Sequence, residues 1–441
     1  MKLSVEIAKL IKEKGGTAYY VGGYVRDQYW SVPSKDLDIE VHGISQEVFE
    51  EIIAPYDPSF IGKSFGIYMI DKTEWALPRR EISTGILHTD FDIIVDPFMG
   101  LIEACMRRDF TINTGMMNVL TRETTYPIEQ AESDLHWHML RPTSHLFMDD
   151  ALRVLRGMQL ASRFSLVHTS SAITYAQRIK RHFSGLSPER VWTEWWKWAG
   201  GKWPGHGLDY LLATGWIDNF PELKGLVGLP QDPIWHPESC VWTHTNFVCQ
   251  AIARHKDPYL TMAALLHDVG KQTTTEYDDR ITSKGHDKAS KPFIESFLAN
   301  APNRVREVVT ELVSEHMIAV NPPTKRTARR LLSRLRHADW DDLQKLIQAD
   351  HAGRPPLDPS EPEHSVRLFE YCQEVKDYIE PILKGRHLIE MGFEPNHKFG
   401  TALKYIYEIQ LDGDAVDIDG AKSFLETALR NNLFELDGGV Q

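Results

Sequence analysis

The apolar period of this chain changes once along its length, and no other feature restricts its fold as much. Up to about residue 140, short alternating runs such as Ile67-Tyr68-Met69-Ile70 and Phe91-Asp92-Ile93-Ile94-Val95 are mixed with helical stretches, the pattern of a sheet packed with helices. From Asp149 onward the spacing is almost wholly helical, beginning with Ala151-Leu152-Arg153-Val154-Leu155-Arg156 and continuing through Pro188-Glu189-Arg190-Val191-Trp192. A chain of 441 residues is too long for one ordinary core, and roughly two to four domains are expected. The sequence therefore predicts an α+β head with a small mixed sheet, followed by all-α domains. Composition breaks fall at Pro230-Gln231-Asp232-Pro233 and along the acidic, proline-rich run Pro355 to Pro362. Trp192, Trp195, Trp196 and Trp198 recur at helical spacing, and a buried stripe accounts for them better than a base-stacking platform does.

Within the head, Val21-Gly22-Gly23-Tyr24-Val25-Arg26-Asp27 is followed by Asp36-Leu37-Asp38-Ile39-Glu40. Adjacent glycines let main-chain N–H groups approach a triphosphate closely. Residues two apart on a strand project from one face, so Asp36 and Asp38 can share a cation while Leu37, Ile39 and Val41 face the core. Two hard carboxylates suit Mg²⁺, and the pairing points to metal-dependent nucleotidyl transfer. Taken singly, the same elements also read as a plain turn and as the wet face of a half-buried strand.

Other classes of protein fit less well. No stretch near eighteen apolar residues occurs, and the N-terminal Met1-Lys2-Leu3-Ser4-Val5-Glu6 lacks a signal peptide's apolar core, so a soluble, cytoplasmic protein without a membrane partner is expected. Cys105, Cys240, Cys249 and Cys372 have no CxxC spacing, which argues for reduced packing residues. The formal charge of −13 runs against phosphate binding over the whole surface. Positive charge is concentrated locally at Lys325-Arg326-Thr327-Ala328-Arg329-Arg330, Arg334 and Arg336, which reads either as a solvated helix face or as a nucleic-acid contact.

Further motifs follow in order: Arg107-Arg108-Asp109-Phe110-Thr111-Ile112-Asn113, then Asp149-Asp150-Ala151-Leu152-Arg153-Val154-Leu155-Arg156. Between and after them stand Gly62-Lys63-Ser64-Phe65-Gly66, Ala76-Leu77-Pro78-Arg79-Arg80-Glu81 and Ser187-Pro188-Glu189-Arg190-Val191. In these motifs the chain resembles the second class of tRNA nucleotidyltransferases, the CCA-adding enzymes, and their bacterial poly(A) polymerase relatives, in the superfamily that includes DNA polymerase beta. The resemblance implies a nucleotidyltransferase head over residues 1–140 and a helical neck over 141–230. It implies that Asp36 and Asp38 hold Mg²⁺, with Glu74 as a third carboxylate. Gly23, Arg26 and Arg108 would hold the triphosphate, and Asp109 and Asn113 would fix local backbone or the sugar.

Asp150 and Arg153 would read the base, a carboxylate accepting from the amine of cytosine or adenine and a guanidinium donating to the neighbouring acceptor. Arg156 would contact phosphate or base. The implied partners are tRNA, CTP and ATP, and the implied reaction is untemplated addition or repair of the 3′-terminal CCA, with poly(A) or A-only addition as the alternative. Arg79 to Met106, with Gly85, His88 and Asp90, corresponds to a region implicated in the family's switch from C to A addition. Relatives often carry Arg-Phe where Gln159-Leu160 stand, and Gln159 loses a cation whose role the sequence leaves open.

A second constellation follows. Trp235-His236-Pro237-Glu238 and Val241-Trp242-Thr243-His244-Thr245 precede Ala263-Ala264-Leu265-Leu266-His267-Asp268-Val269-Gly270-Lys271. These residues resemble the HD-superfamily phosphohydrolases, which implies a metal set of His244, His267, Asp268 and Asp350 within residues 231–354, with His286 and His316 as added ligands or phosphate contacts. Imidazole with carboxylate suits Mn, Ni, Co or Fe, or else Mg²⁺. Phosphatase and 2′,3′-cyclic phosphodiesterase activity is implied, and a hydrolase whose head merely binds RNA is the remaining alternative. Residues 364–441 resemble the helical, tRNA-contacting tail of longer members, and either a monomer or a homodimer is compatible with the sequence.

Overall fold

The computed structural model describes residues 2–34, 37–60, 67–83, 91–431, 433 and 436. Asp36, the Gly62–Gly66 run and Gly85, His88 and Asp90 lie outside the described residues. The chain divides into two compact units, Met1–Lys224 and Gly225–Gln441.

The first unit opens with the helix Lys2–Glu13, whose Ser4, Ile7, Ala8 and Ile11 recur at helical spacing and are buried. The strands are β1 (Thr17–Val21), β2 (Asp38–His42), β3 (Ser59–Phe60), β4 (Ile67–Ile70), β5 (Thr73–Ala76), β6 (Arg79–Ser83), β7 (Phe91–Val95), β8 (Met116–Asn118) and β9 (Thr124–Thr125). Seven form one sheet in the order β3-β4-β5-β2-β1-β8-β9. The β2–β5 pair is parallel and the others are antiparallel, while β6 and β7 pair with each other. Ile7 and Ile11, with Phe49 and Ile53 from the helix Gln46–Ile53, cover Tyr20, Ile39, Val41 and Trp75. Ser45 caps that second helix, its side chain accepting from Val48 N.

The turn between β1 and the next helix holds Gly22 at φ 63°, ψ −133°, a conformation open to glycine and costly for other residues. Gly22→Ala is expected to lower stability by about 1–3 kcal/mol, read as a reduced denaturation midpoint; an unchanged midpoint would show that the turn relaxes without strain.

The rest of this unit is helical apart from a short parallel pair, Met139–Leu140 with Val167–His168, and includes the helices Leu152–Phe164, Pro188–Ala199 and Pro204–Ala213. Trp195 and Trp198 are buried, with rings 5.3 Å apart and edge-on, whereas Trp192 and Trp196 are half-buried. The stripe is thus chiefly a packing element, as its spacing predicts.

The second unit is helical apart from the short strand pair Glu276–Tyr277 and Ile281–Thr282. Its basic helix, Lys325–Arg334, is not the open cationic face that the sequence allowed. Arg326 and Arg330 pair with Asp412 at 2.7 and 2.6 Å, and Arg330 also reaches Glu408. Arg329 donates to the Leu411 and Asp412 carbonyls, Arg334 pairs with Glu315 and Lys325 with Glu374. Three of its arginines, Arg326, Arg329 and Arg330, thus clasp the helix Lys398–Asp412. That helix packs with Ile418–Arg430 over a small core of Leu388, Ile406, Ala421 and Leu425. Among the described residues no helix is long and apolar enough to cross a membrane. The four cysteines are free thiols.

Candidate functional sites

Each unit contains one cleft lined by the residues singled out in its sequence. In the first unit the cleft encloses about 690 Å³. Parallel pairing of β2 with β5 sets Asp38 beside Glu74 in register, so the two carboxylates share one sheet face. A Cβ built on Gly22 would lie 3.7 Å from Asp38 Oδ2, which puts the glycine turn directly against that carboxylate.

The opposite wall is cationic and braced by buried acids. Glu40, which alternates with Asp38 along β2, is 2% exposed. It accepts from Arg107 Nη2 at 3.0 Å and Arg108 Nη2 at 3.3 Å, and His42 Nε2 lies 3.0 Å away. Burial alone would raise the Glu40 carboxyl, but Arg108, the His42 bond and Arg107 outweigh it and hold it down at about 2. Glu40 on this face of β2 is therefore buried beneath arginines, not wet. Sequence reading passed over Glu40 as a site residue because period-2 alternation does not report what covers a face. Glu40→Ala would leave two guanidiniums without their carboxylate, and a loss of about 3–5 kcal/mol is expected; a first-unit unfolding midpoint within error of the parent would contradict the clamp.

Arg26 is buried and turns inward, to Asp27 at 2.6 Å and Asn113 Oδ1 at 2.7 Å, with Phe164 beneath its guanidinium. Arg26 lines the cleft, yet in this state its fork supports the turn instead of presenting free donors. Asn113 Nδ2 donates to Asp109 Oδ1 at 2.8 Å, and Asp109 Oδ2 accepts from Arg156 Nε at 2.9 Å. Asp109 is kept ionised against its own burial by Arg156, the Asn113 bond and Arg153. Asp109 also accepts from Phe110 N at 2.7 Å, so the side chains of Asp109 and Asn113 are both engaged in local hydrogen bonds.

At i and i+3, Asp150 and Arg153 would share one face of a continuous helix, but Asp150 lies outside the helix that carries Arg153. Asp150 is extended (φ −125°) and precedes the helix Leu152–Phe164. Its Oδ1 accepts from Leu152 N at 3.0 Å and its Oδ2 from Arg190 Nη2 at 2.8 Å. Arg153 donates to the Leu146 and Arg107 carbonyls at 2.6 and 2.7 Å. An acid beside a free helix N-terminus satisfies backbone donors first, which is why the simple i, i+3 pair does not form. Asp150, Arg153 and Arg190 still line the cleft. Gln159 accepts from Arg163 Nη1 at 3.4 Å, so an arginine one turn along stands beside the position where the sequence lacks one.

In the second unit, a cleft of about 530 Å³ carries Asp268, His286, His316 and Asp350 together with Lys271, Arg280, Lys284 and Arg354. The apolar helix Pro258–Leu266 ends at His267 and delivers His267 and Asp268 to the interior at 0% and 1% exposure. Asp268 Oδ2 lies 3.2 Å from His267 Nε2 and 3.8 Å from His244 Nε2, and its Oδ1 lies 3.1 Å from His286 Nε2. Asp350 Oδ1 is 3.0 Å from His244 Nε2, and His316 Nε2 is 3.1 Å from His286 Nε2. All six sequence-predicted residues of this site are brought together.

The imidazoles are poised as ligands. His267, His286 and His316 each have Nδ1 within 2.8 Å of a backbone carbonyl, of Ala264, Ser283 and Val313 respectively. An Nδ1–H donated there leaves a lone pair on Nε2, the tautomer a metal ligand requires. Lone pairs that face one another, or a carboxylate, inside a buried site call for cations. The donor set therefore fits a divalent transition metal. Burial would raise Asp268, but His267, Lys271 and His286 hold it well below the usual carboxylate range. His236 and Glu238 also belong here: Glu238 Oε1 lies 2.8 Å from His236 Nδ1 and 2.9 Å from His244 Nδ1. Their stretch drew attention in the sequence, but nothing in its spacing assigned them to the site.

Residues 18–141 match the Poly A polymerase head domain family and residues 241–372 the HD domain family. The Multifunctional CCA protein of Vibrio campbellii is 30% identical over 369 residues, covering 80% of this chain and 89% of that protein. Its counterpart in Vibrio parahaemolyticus is 31% identical, covering 77% and 86%. Among solved structures, the Bacillus stearothermophilus CCA-adding enzyme in complex with CTP superposes with a TM-score of 0.67 at 18% identity, covering 98% of each chain. The Thermotoga maritima CCA-adding enzyme complexed with tRNA has a TM-score of 0.61 at 16% identity, covering 97% of this chain and 95% of that one. At these identities the two structures bear on fold alone. A poly(A) polymerase-type head carrying the Asp38–Glu74 cleft, an HD domain carrying the His/Asp cluster and identity across most of both chains lead to one assignment: this protein belongs to the multifunctional CCA protein family.

Proposed function

We infer that this chain is a nucleotidyltransferase that adds or repairs the 3′-terminal CCA of tRNA from CTP and ATP without a nucleic-acid template. The observation that carries this reading is the in-register pair Asp38 and Glu74 facing the Gly22–Gly23 turn across a cleft whose other wall is arginine. Asp38 and Glu74, with Asp36, would hold Mg²⁺, which when bound offsets the charge of the triphosphate and of the attacking oxygen.

The chain's own residues supply the rest. Main-chain N–H groups at Gly22 and Gly23 approach the phosphates closely because no side chain intervenes. Arg108, fixed by Glu40, and Arg156, fixed by Asp109, present charge at set positions, so little reorganisation is needed when the substrate arrives. The tRNA 3′-hydroxyl attacks the α-phosphorus, the bond to the bridging oxygen breaks, and pyrophosphate leaves.

Base choice falls to Asp150 and Arg153. An incoming base must take over bonds now made with Arg190 and with the carbonyls of Leu146 and Arg107. Cytosine and adenine can do so through an amine next to a ring acceptor, whereas uracil and guanine present a carbonyl to the carboxylate. The organisation proposed is a head to residue 140, a neck over 141–230, an HD domain over 231–354 and a tail over 364–441.

To the second site we assign hydrolysis of phosphate esters, including 2′,3′-cyclic phosphates, with Ni, Mn, Co or Mg²⁺. Support comes from the convergent Nε2 atoms at the floor of a cleft that also carries Lys271 and Arg354.

The test is incubation of the full chain and Mg²⁺ with tRNAs ending before the first C, before the second C and before A, with CTP, ATP or both, followed by sequencing. Products that stop at CCA support the reading. Long A tails on any RNA would convert it to poly(A) addition, and absence of addition would sink it.

A further inference from the structure

Two residues at the second cleft have no part in its His/Asp cluster, Gln231 and Trp235. Both stand in the run Pro230-Gln231-Asp232-Pro233-Ile234-Trp235, and both line the cleft together with Asp268 and Lys271.

Gln231 is 7% exposed, and its Oε1 accepts from Lys271 Nζ at 2.7 Å. An ammonium can only donate, so this bond fixes which end of the amide is oxygen and leaves Nε2 as a donor. Nε2 is buried and has no hydrogen-bond partner among the described residues. A buried N–H of this kind calls for an acceptor, and on a cleft wall a ligand can bring one. Lys271 also lies 2.7 Å from Asp268 Oδ2, so a single side chain links the orphan donor to the floor of the site. The acceptor that chemistry supplies there is an oxygen of the ester phosphate.

Trp235 is the opposite case, a large ring left 56% exposed at the cleft. Its turn is held by one residue. Asp232 accepts at Oδ1 from Ile234 N at 3.0 Å and at its carbonyl from Trp235 N at 3.1 Å and His236 N at 2.8 Å, while its Oδ2 accepts from Arg280 Nε at 2.8 Å. A ring fixed through its backbone but not buried is ready to stack on another ring, and every nucleobase offers such a face. Arg280 and Arg354 line the same cleft, so the occupant that matches it is anionic as well as aromatic.

We propose that Gln231 and Trp235 form a nucleotide subsite, in which the Trp235 indole stacks on the base and the Gln231 amide donates to an oxygen of the ester phosphate. The inference rests on the phosphohydrolase reading of the second site and deepens it, because it makes the base next to the ester a determinant of which esters are taken.

The experiment compares two esters on the full chain, adenosine 2′,3′-cyclic phosphate and the base-free 2,3-cyclic phosphate of methyl riboside. Trp235→Ala is expected to lower the ratio of kcat/KM between the first ester and the second by about tenfold, chiefly through KM, and Trp235→Phe to restore it. Gln231→Glu keeps an acceptor for Lys271 but turns an oxygen toward the phosphate, and kcat/KM for both esters should fall by at least about tenfold with an unchanged unfolding midpoint. A second readout is binding of adenosine 2′-phosphate with Mg²⁺, followed by proton NMR. The adenine H2 and H8 signals should move upfield through the indole ring current in the parent and in Trp235→Phe, and lose that shift in Trp235→Ala. An unchanged ratio in Trp235→Ala, or full activity in Gln231→Glu, would overturn the proposal. A parent that hydrolyses neither ester would reject the phosphohydrolase reading, and the proton shifts alone would then decide the subsite.

Discussion

Asp38→Ala is expected to lower kcat for both C and A addition by about a thousandfold, with KM for CTP and ATP changing much less. The size follows from the role. A carboxylate that holds a cation on the reacting phosphate contributes several kcal/mol of charge stabilisation in the transition state, and each 1.36 kcal/mol is a factor of ten in rate. The neighbouring groups cannot compensate. Glu74 is set beside Asp38 by strand register, while Glu40 is already engaged by Arg107 and Arg108. The fold should survive, because Asp38 is only half-buried at the cleft rim and the core beneath is built from Ile39 and Val41. Single-turnover kinetics on a tRNA lacking its last nucleotide decide the matter. A rise confined to KM would make Asp38 a binding group only, and loss of the folded state would remove the interpretation altogether.

Asp268→Ala should have the second large effect, on a different reaction. Its carboxylate meets His267, His286 and Lys271 inside the second unit, so its removal takes away a ligand and leaves the Lys271 ammonium, 7% exposed, without its anion. Hydrolysis of a 2′,3′-cyclic nucleotide is expected to fall by at least about a hundredfold, given that even an outer-shell change commonly costs 10–100-fold. The second unit should also lose about 3–5 kcal/mol of stability in the metal-free protein. Metal content, hydrolysis rate and the urea midpoint are measured on the same preparation. Retention of full metal content would show that Asp268 is a structural acid, not a ligand.

Both substitutions concern residues visible in the sequence, and their partners mark where sequence reading stops. The Gly22–Gly23 turn and the alternation of Asp38 with an apolar strand are local patterns, readable because the strand period is two. His267-Asp268 at the end of an apolar helix is local in the same way. Glu40 lies on the same strand as Asp38 and Glu238 in the Trp235–Glu238 run ahead of the second set, yet their roles were not legible. Whether an acid on a strand or a loop is wet or buried depends on what packs over it, and that packing comes from Arg107 and Arg108 in one case and from His244 in the other. The basic helix Lys325–Arg334 is the reverse case, where charge that looked available is taken up by Asp412, Glu408 and Glu315.

The sequence by itself determined the order of the chemistry: an α+β head with a glycine turn and paired acids, then helices carrying a second His/Asp set, because periodicity and nearest-neighbour spacing are properties of short segments. The tertiary structure alone decided which distant groups meet. Parallel pairing sets Glu74 against Asp38 across 36 positions of chain, Asp150 turns to Arg190 and not to Arg153, and residues 244, 267, 286, 316 and 350 converge on Asp268. Such meetings depend on strand register and helix packing, which arise from burial over the whole unit and not from the residues that meet.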